Sequence, residues 1–415
     1  MNPIDDHDAR DLLAPLAVEP GGAQRLDLEQ IMRRGDKRRR ARYLMTGVMS
    51  GAAVFVLAGG AAAVVRDAQS SSGVQAGASG TPSPYSSQAP APDGTPMPSA
   101  SQPPPPLPSA AAGTACVMAP LAGVSGPVET VDHTGHYTIE QHGNPDRQAM
   151  AVRTAVVRKD GRQIAAVTLP SSAGTEFAVN NKGEFVVTIR DSKKNGTPYA
   201  YADGKLTRLK GGAGVVATIA DSGRLAGILN DQPVYWANAS AEPTRLDLPE
   251  GFVRGGVGEI DQDGTMAGHV FTADMRSVAL IWLPDGSTKV LPVPTHQNPT
   301  YLVGIRDGWV VGGTSQYGFR YNVATGRYEV LPAQGSNPQA VGGNGNVVAA
   351  PGTHTMYVLS GDTARRLAMG PEQESYGITG ISDDGRIVTG NSFSGTDGSS
   401  AATAETTQAV TWTCD

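Results

Sequence analysis

Short runs of alternating hydrophobic and polar residues, separated by glycine turns, fill the chain from residue 114 to the C-terminus. In the clearest unit, VGEI and TMAGHV flank Asp261-Gln262-Asp263-Gly264, and ALIW and TKVLP flank Asp285-Gly286. Alternating stretches of this length joined through Asp-Gly predict β-hairpins, because glycine adopts the positive φ that tight turns require. The pattern therefore predicts four short strands and two tight turns in this unit.

The same unit recurs about every 40 residues. The first turn of each unit ends at a glycine, and these glycines are Gly135, Gly183, Gly223, Gly264, Gly308, Gly345 and Gly385. Four-stranded repeats of this length are typical of β-propellers, because one such sheet cannot bury both faces until neighbouring sheets stack against it. We therefore predict an all-β, seven-bladed β-propeller over 114–415. Aromatic residues recur in the third strand and are predicted to pack between blades: Tyr201, Trp236, Trp282, Tyr321, Tyr357 and Trp412.

The last blade lacks its own fourth strand. A leucine marks the fourth strand in six units, but the chain stops at AVTWTCD, directly after a third strand. The segment ACVMAPLAG, at the start of the domain, is similar to the fourth strand TKVLPVPT. We therefore predict a strand-exchange closure in which residues near 115–121 complete the seventh blade.

The two cysteines support this closure. Aligning Pro120 with Pro292 places Cys116 and Cys414 on either side of the turn that the seventh blade lacks. Two cysteines at the ends of an exported domain suit an oxidising compartment. We predict a Cys116–Cys414 disulfide, with two unpaired thiols as the alternative.

The N-terminal part of the chain divides into three zones. Residues 1–42 carry both charge signs, residues 43–65 carry no charge, and 66–113 are rich in Pro, Ser and Ala. The uncharged run is long enough for a transmembrane helix, with a cleaved signal peptide as the alternative. The basic run RRGDKRRRAR precedes it, so the positive-inside rule places residues 1–42 in the cytoplasm. The prediction is a single-pass plasma-membrane protein with a cytoplasmic tail, a disordered linker over 66–113 and an extracellular propeller.

The repeats resemble the bacterial extracellular HAF-type repeat family, in which a turn motif is followed by a strand of the form A-F-x-W. The resemblance covers roughly residues 128 to 415 and is best at ISDDGRIVTGNS with AVTW, at IDQDGTMAGHV with ALIW, and at IRDGWVVGGTS. The His-Ala-Phe element of the family is replaced by Gln408-Ala409-Val410 and Val278-Ala279-Leu280. The resemblance implies a secreted or surface-exposed propeller without a defined activity. WD-type and kelch-type propellers are the nearest alternatives.

Motifs that carry chemistry do not occur in the chain: there is no GxSxG, HExxH, P-loop or CxxC. One group of potential metal ligands surrounds the first turn, namely Asp132, His133, His136, Glu140 and His142. Turn and strand roles explain these residues better, because alternate strand residues point to opposite faces. We therefore predict no metal, no cofactor and no enzymatic activity.

The loops between second and third strands lie on one face of a propeller and often hold its ligand sites. The candidate ligand-face residues are His142, Arg147, Lys193, Lys194, Asp231, Arg276 and Tyr317. A net charge of −6 argues against a nucleic-acid partner. The predicted function is a binding module for a cell-envelope protein or glycan. One alternative is a transmembrane sensor whose tail binds a cytoplasmic regulator such as a sigma factor, and a hydrolase or lyase is a weaker one.

Overall fold

The structure is a computed structural model that describes only part of the chain. The described residues are 106–107, 115–142, 153–170, 175–190, 196–291, 301–314, 316–332, 337–352, 355–370, 375–393 and 407–415. Contacts divide the chain into two units, Met1–Leu44 and Met45–Asp415, and every described residue belongs to the second. No helix in the described residues is sufficiently long and apolar to cross a membrane. The predicted tail, the predicted span 43–65 and most of the predicted linker lie outside the described residues.

The described residues form 28 strands. Hydrogen bonding groups them into five sheets of four strands and one sheet of eight. Each sheet of four is one blade, and its strands are antiparallel and consecutive in the chain.

The strand bounds follow the predicted repeat. Blade one contains β2 Val128–Val131, β3 Tyr137–His142, β4 Arg153–Lys159 and β5 Arg162–Leu169. Blade two contains β6 Thr175–Val179, β7 Phe185–Arg190, β8 Gly196–Ala202 and β9 Lys205–Arg208. Blade three contains β10 Gly214–Ile219, β11 Leu225–Leu229, β12 Gln232–Trp236 and β13 Pro243–Arg245. Blade four contains β14 Phe252–Ile260, β15 Met266–Thr272, β16 Ser277–Trp282 and β17 Thr288–Val290.

Blade five is a sheet of four strands, and blades six and seven share the sheet of eight. Blade five contains β18 Tyr301–Arg306, β19 Trp309–Gly313, β20 Gly318–Asn322 and β21 Tyr328–Val330. Blade six contains β22 Asn337–Val341, β23 Val347–Gly352, β24 Thr355–Ser360 and β25 Thr363–Leu367. Blade seven contains β26 Ser375–Ile381, β27 Ile387–Phe393, β28 Thr407–Thr413 and the exchanged strand β1 Ala115–Pro120. One turn of 3-10 helix, Gly343–Gly345, lies between β22 and β23.

The seven first strands form a closed ring. Each of β2, β6, β10, β14, β18, β22 and β26 contacts the first strand of the blade before it and of the blade after it, and β26 contacts β2. The ring surrounds a central channel. We call the end where first strands turn into second strands the turn face, and the opposite end the loop face.

Strand exchange closes the ring as predicted. Strand β1 pairs antiparallel with β28 and supplies the fourth strand of blade seven. It also pairs in parallel with β25 of blade six, where Cys116 lies opposite Leu367. Because β1 belongs to both pairings, it joins blades six and seven into one sheet of eight strands.

The predicted disulfide between Cys116 and Cys414 is present, and the Cα atoms of the two residues are 4.2 Å apart. The alignment that led to it is wrong by two residues. Met118 pairs with Trp412, as Thr288 pairs with Trp282 in blade four, so Leu121 rather than Ala119 corresponds to Leu291. The repeated proline misled the alignment, because Pro120 is the last residue of β1 and pairs with Val410.

All seven turn glycines adopt positive φ, between 70° and 91°. Small residues recur in the second strands of several blades, opposite β-bulges in the first strands. A Cβ on Gly268 would come within 2.0 Å of the Gly256 carbonyl oxygen, and one on Gly227 within 2.0 Å of the Val215 oxygen. Glycine is therefore required at these two positions, whereas Glu140 and Ala349 stand opposite the bulges of blades one and six.

Most of the third-strand aromatic residues are buried between blades, as predicted. Trp236, Trp282 and Trp412 are each at most 1 % exposed. Each of these indoles donates Nε1–H to a carbonyl at the end of the preceding blade: to Lys210 at 3.0 Å, Asp247 at 2.9 Å and Ala368 at 2.7 Å. The contact satisfies the only polar atom of a side chain that is otherwise hydrophobic.

One residue of the predicted linker packs against the propeller. Leu107 lies against the hydrophobic cluster between blades five and six, which includes Val311, Leu331 and Leu359. The chain therefore contacts the propeller before β1 begins.

Candidate functional site

The central channel contains a cavity that touches every blade. It encloses about 80 Å³. Polar groups on its wall are Thr130, Asp132, His133, Thr218, Glu259, Gln339 and Thr379, and the apolar groups include Phe177, Val303, Ile305, Val341 and Ile381. Sites for drug-sized ligands span roughly 300–1,000 Å³, so this cavity has room only for a small group.

Glu259 is the charged side chain on the middle of this wall. A β-bulge between Val257 and Glu259 turns its side chain towards blade three, where it accepts a hydrogen bond from the Thr218 hydroxyl. Burial raises the pKa of Glu259 from 4.5 to about 7, and the Thr218 bond and the Arg306 charge oppose the rise. Glu259 therefore exchanges a proton near neutral pH.

A belt of hydrogen bonds closes the turn-face end of the channel. Asp261 accepts hydrogen bonds from the backbone N–H groups of Asp307, at 3.1 Å, and Gly308, at 2.7 Å. Asp221 accepts two from Asn181, at 2.8 Å and 2.9 Å. The acidic turn residues thus hold neighbouring blades together. In the Asp261–Gly264 turn, Asp261 links blades four and five.

Arg306 crosses this end of the channel. It is 3 % exposed, and its guanidinium forms a two-bond fork with Asp383 of blade seven, with both N–O distances 2.7 Å. The fork skips blade six and ties blade five to blade seven. Such bidentate charge-assisted pairs are among the stronger hydrogen bonds in proteins.

His133 lines the cavity near the turn-face end of the channel. Burial, together with the Arg306 charge, lowers the pKa of His133 from 6.5 to about 4, although Asp383 and Asp132 favour its protonation. The imidazole is therefore neutral at physiological pH.

The ligands grouped in the first turn of the sequence do not converge. Asp132 accepts hydrogen bonds from the backbone of Tyr137, at 2.7 Å, and Thr134, at 3.1 Å. His136 pairs with Asp160 at 2.6 Å on the surface, and Glu140 is held by Arg158. Within the described part of the chain, no group of three or more His, Cys, Asp or Glu side chains is placed to hold a metal ion.

The predicted ligand-face residues are scattered over several environments. His142 lies at the end of β3, with Nε2 2.7 Å from Oε2 of the fully buried Glu140 and its own side chain 39 % exposed. Asp231 is exposed in the turn between β11 and β12, with φ of 61°. Arg276 is exposed and pairs with Asp274 at 2.9 Å.

The other four predicted ligand-face residues are either buried or outside the described residues. Tyr317 is 6 % exposed and belongs to the hydrophobic core of blades four and five, so the structure places it in the core instead of on the surface. Arg147, Lys193 and Lys194 lie outside the described residues.

A second carboxyl group with a raised pKa lies on blade one. Burial raises the pKa of Glu129 from 4.5 to about 7, opposed by the Arg153 charge. Glu129 occupies the bulge of β2 and is absent from the cavity wall.

The sequence prediction missed the channel residues Glu259 and Arg306. When the turns are aligned, Glu259 stands where the other blades have Thr130, Ala178, Thr218, Gly304, Ala340 and Gly380. Arg306 similarly stands at a position held by Asp132, Asn180, Ala220, Asp261, Gly342 and Ser382. Large charged residues that replace small or turn-forming ones at equivalent positions were the available signal.

Comparison with known proteins agrees with the architecture. No family model matches the chain, and no curated protein matches it in sequence. Solved structures that it resembles include YCF48 bound to D1 peptide, at 12% identity and a TM-score of 0.45, with 74% of this chain and 97% of that chain covered. The propeller domain of the Trilobed protease from Pyrococcus furiosus is 13% identical with a TM-score of 0.45, covering 70% of this chain and 96% of that one. TolB from Acinetobacter baumannii is 12% identical with a TM-score of 0.38, covering 68% and 64%.

Proposed function

We propose that the protein is a membrane-anchored extracellular β-propeller that binds a cell-envelope protein or glycan through its loop face. The uncharged run 43–65 is its single span, and residues 1–42 form the cytoplasmic tail. Residues 66–113 are the spacer that separates the propeller from the bilayer, and Leu107 marks where the spacer meets the propeller.

The main support for the proposed extracellular location is the Cys116–Cys414 disulfide. The chain has only two cysteines, and both take part in this bond. Disulfides between structural cysteines persist in oxidising compartments and are rare in the cytosol. A propeller on the outer side of the membrane satisfies this requirement.

The two faces differ in what their charged residues do, which supports binding at the loop face. On the turn face, Asp221, Asp261 and Asp383 are engaged in bonds between blades. On the loop face, Asp231 and Arg276 remain exposed. Strand β1 begins its pairing with β28 opposite Thr413, so the chain enters blade seven from the turn face.

Protease treatment of intact cells tests the proposed location. The full-length protein carries different epitope tags at the two ends, and the same treatment of permeabilised cells is the control. We expect intact cells to lose the C-terminal tag and to keep the N-terminal tag. Retention of both tags in intact cells, with loss of both after permeabilisation, would place the propeller inside the cell and refute the proposal.

A further inference from the structure

The cavity wall around Glu259 is shaped by small residues. In the other six blades the equivalent positions carry Thr130, Ala178, Thr218, Gly304, Ala340 and Gly380. A Cβ on Gly304 would lie 3.8 Å from Oε2 of Glu259 and 3.0 Å from the Val341 side chain, so glycine leaves open the space beside this oxygen. Oε1 already accepts the Thr218 hydroxyl, which leaves Oε2 as the oxygen next to the open space.

The electrostatic surroundings favour a positively charged ligand. Neither lysine nor arginine occurs among the residues that line the cavity. Arg306 acts on Glu259 through its charge, but its guanidinium is bonded to Asp383 in the fork. His133 faces the cavity without charge. In the described part of the chain Glu259 therefore forms no direct ion pair, and a cation would supply one.

The rest of the wall selects the kind of cation. The amide of Gln339 and the hydroxyl groups of Thr130 and Thr379 offer hydrogen-bonding oxygens on other blades. An ammonium group has three N–H donors and therefore needs several such acceptors. Phe177 and Val303 add apolar surface, which suits an alkyl chain.

We propose that the central channel binds a primary alkylammonium group, with the Glu259 carboxylate as its counter-ion and the channel wall around its alkyl chain. The ammonium group belongs either to a small free amine or to a lysine side chain of a partner. This site is separate from the loop-face surface and does not depend on where in the cell the propeller lies.

A series of ligands with one carbon skeleton tests the charge requirement. Purified full-length protein is titrated at pH 8 with n-butylammonium, n-butanol and n-butyrate, and binding is followed by calorimetry. We expect saturable binding of the ammonium compound and at least tenfold weaker binding of the other two. Equal binding of all three, or no saturable binding of butylammonium, would overturn the proposal.

Two matched variants locate the binding. Glu259→Gln keeps the shape of the side chain and removes the carboxylate, so we expect butylammonium to bind about tenfold more weakly or worse, as for a lost charge-assisted hydrogen bond. Glu129→Gln makes the same change at a carboxyl group with a similarly raised pKa that does not line the cavity. Its affinity should equal that of the unmodified protein. A similar loss in both variants, or in neither, would contradict a site at Glu259.

The pH dependence gives an independent readout. Because Glu259 must ionise to pair with the cation, affinity should rise about tenfold from pH 6 to pH 8 for a carboxyl of this kind, and Glu259→Gln should remove the rise. The charges of Arg306 and Asp261 also act on Glu259, in opposite directions. An affinity independent of pH in the unmodified protein would argue against the carboxylate as counter-ion.

The two sources of the ammonium group are distinguished by a second pair of probes. 1,4-Diaminobutane represents a free amine, and the capped tripeptide acetyl-Gly-Lys-Gly-amide represents a protein side chain. Binding of both that depends on Glu259 supports a partner's lysine, and binding of the diamine alone supports a small amine. Failure of both to bind would overturn the site, and it would leave the proposed loop-face partner untouched.

Discussion

Individual residues in the channel make this propeller sensitive to pH. Glu259 and Glu129 each have a pKa raised to about 7 by burial, and His133 has one lowered to about 4. A carboxyl with a raised pKa binds its proton more tightly in the folded state, so its stabilisation is lost as pH rises towards and through 7. A histidine with a lowered pKa has the opposite effect between about pH 4 and 6.5.

The first prediction follows from these directions. Between pH 6.5 and 8 the His133 contribution rises by less than about 0.5 kcal/mol, which is smaller than the loss from the two carboxyl groups, so the free energy of unfolding of the full-length protein should fall with rising pH. Glu259→Gln should remove part of this fall, on the order of 1 kcal/mol, because one of the two carboxyl groups no longer ionises. Urea unfolding at several pH values measures the effect. An unchanged slope in the variant would show that Glu259 is not buried as described.

The second prediction concerns the fork between blades five and seven. Asp383→Asn leaves the buried Arg306 guanidinium without its counter-charge, and we expect a loss of about 2–4 kcal/mol in the free energy of unfolding. Asp384→Asn is the matched control, because the neighbouring Asp384 carboxylate only caps its own turn through Ser382 and Arg386. Its cost should be below about 1 kcal/mol. Equal costs for the two variants in urea unfolding would contradict a structural role for the fork.

At the scale of strands, the repeat was predictable and its distortions were not. The turn glycines and the alternating pattern identify the four strands of each blade, because positive φ and period-two burial both leave a direct mark on residue type. A β-bulge leaves no such mark on its own strand. It changes which residue faces the channel, as at Glu259, and a partner glycine on the next strand records it in blades three and four but not in blades one and six.

The third prediction tests the bulge. Gly268→Ala places a Cβ within 2.0 Å of the Gly256 oxygen, so β14 and β15 must separate. We expect a cost of about 2–4 kcal/mol. Gly258→Ala, in the bulge itself, meets only an ordinary 3.7 Å contact with the Ala267 oxygen and should cost less than about 1 kcal/mol. Thermal unfolding measures the loss of stability in both variants. A larger loss for Gly258→Ala than for Gly268→Ala would mean that the bulge lies elsewhere.

At the scale of the whole molecule, the closure of the ring was predictable from a missing element. Blade seven takes its fourth strand, β1, from the start of the domain, and the similarity of ACVMAPLAG to the fourth strand TKVLPVPT was the signal in the sequence. The channel site was not predictable, since it depends on side chains from blades that are far apart in sequence and meet only once the ring is closed.

The fourth prediction is that the disulfide stabilises this closure. It links residues 298 apart in sequence. In the chain-entropy account such a bond contributes about 5 kcal/mol by restricting the unfolded chain. The Cys116→Ser/Cys414→Ser double variant should unfold at correspondingly lower urea concentration, whereas dithiothreitol should destabilise the unmodified protein and leave the double variant unchanged. A double variant as stable as the oxidised protein would show that strand pairing alone closes the ring.

The proposed function is that of a binding module on the outer side of the membrane, and an in-cell cross-linking pull-down tests this proposal. The full-length protein is compared with a version that lacks residues 2–32 but keeps the basic flank and the span. We expect both to capture the same cell-envelope partner. Capture of a cytoplasmic partner by the full-length protein alone, with none on the outer side, would contradict the claim and identify a signalling protein that acts through its tail.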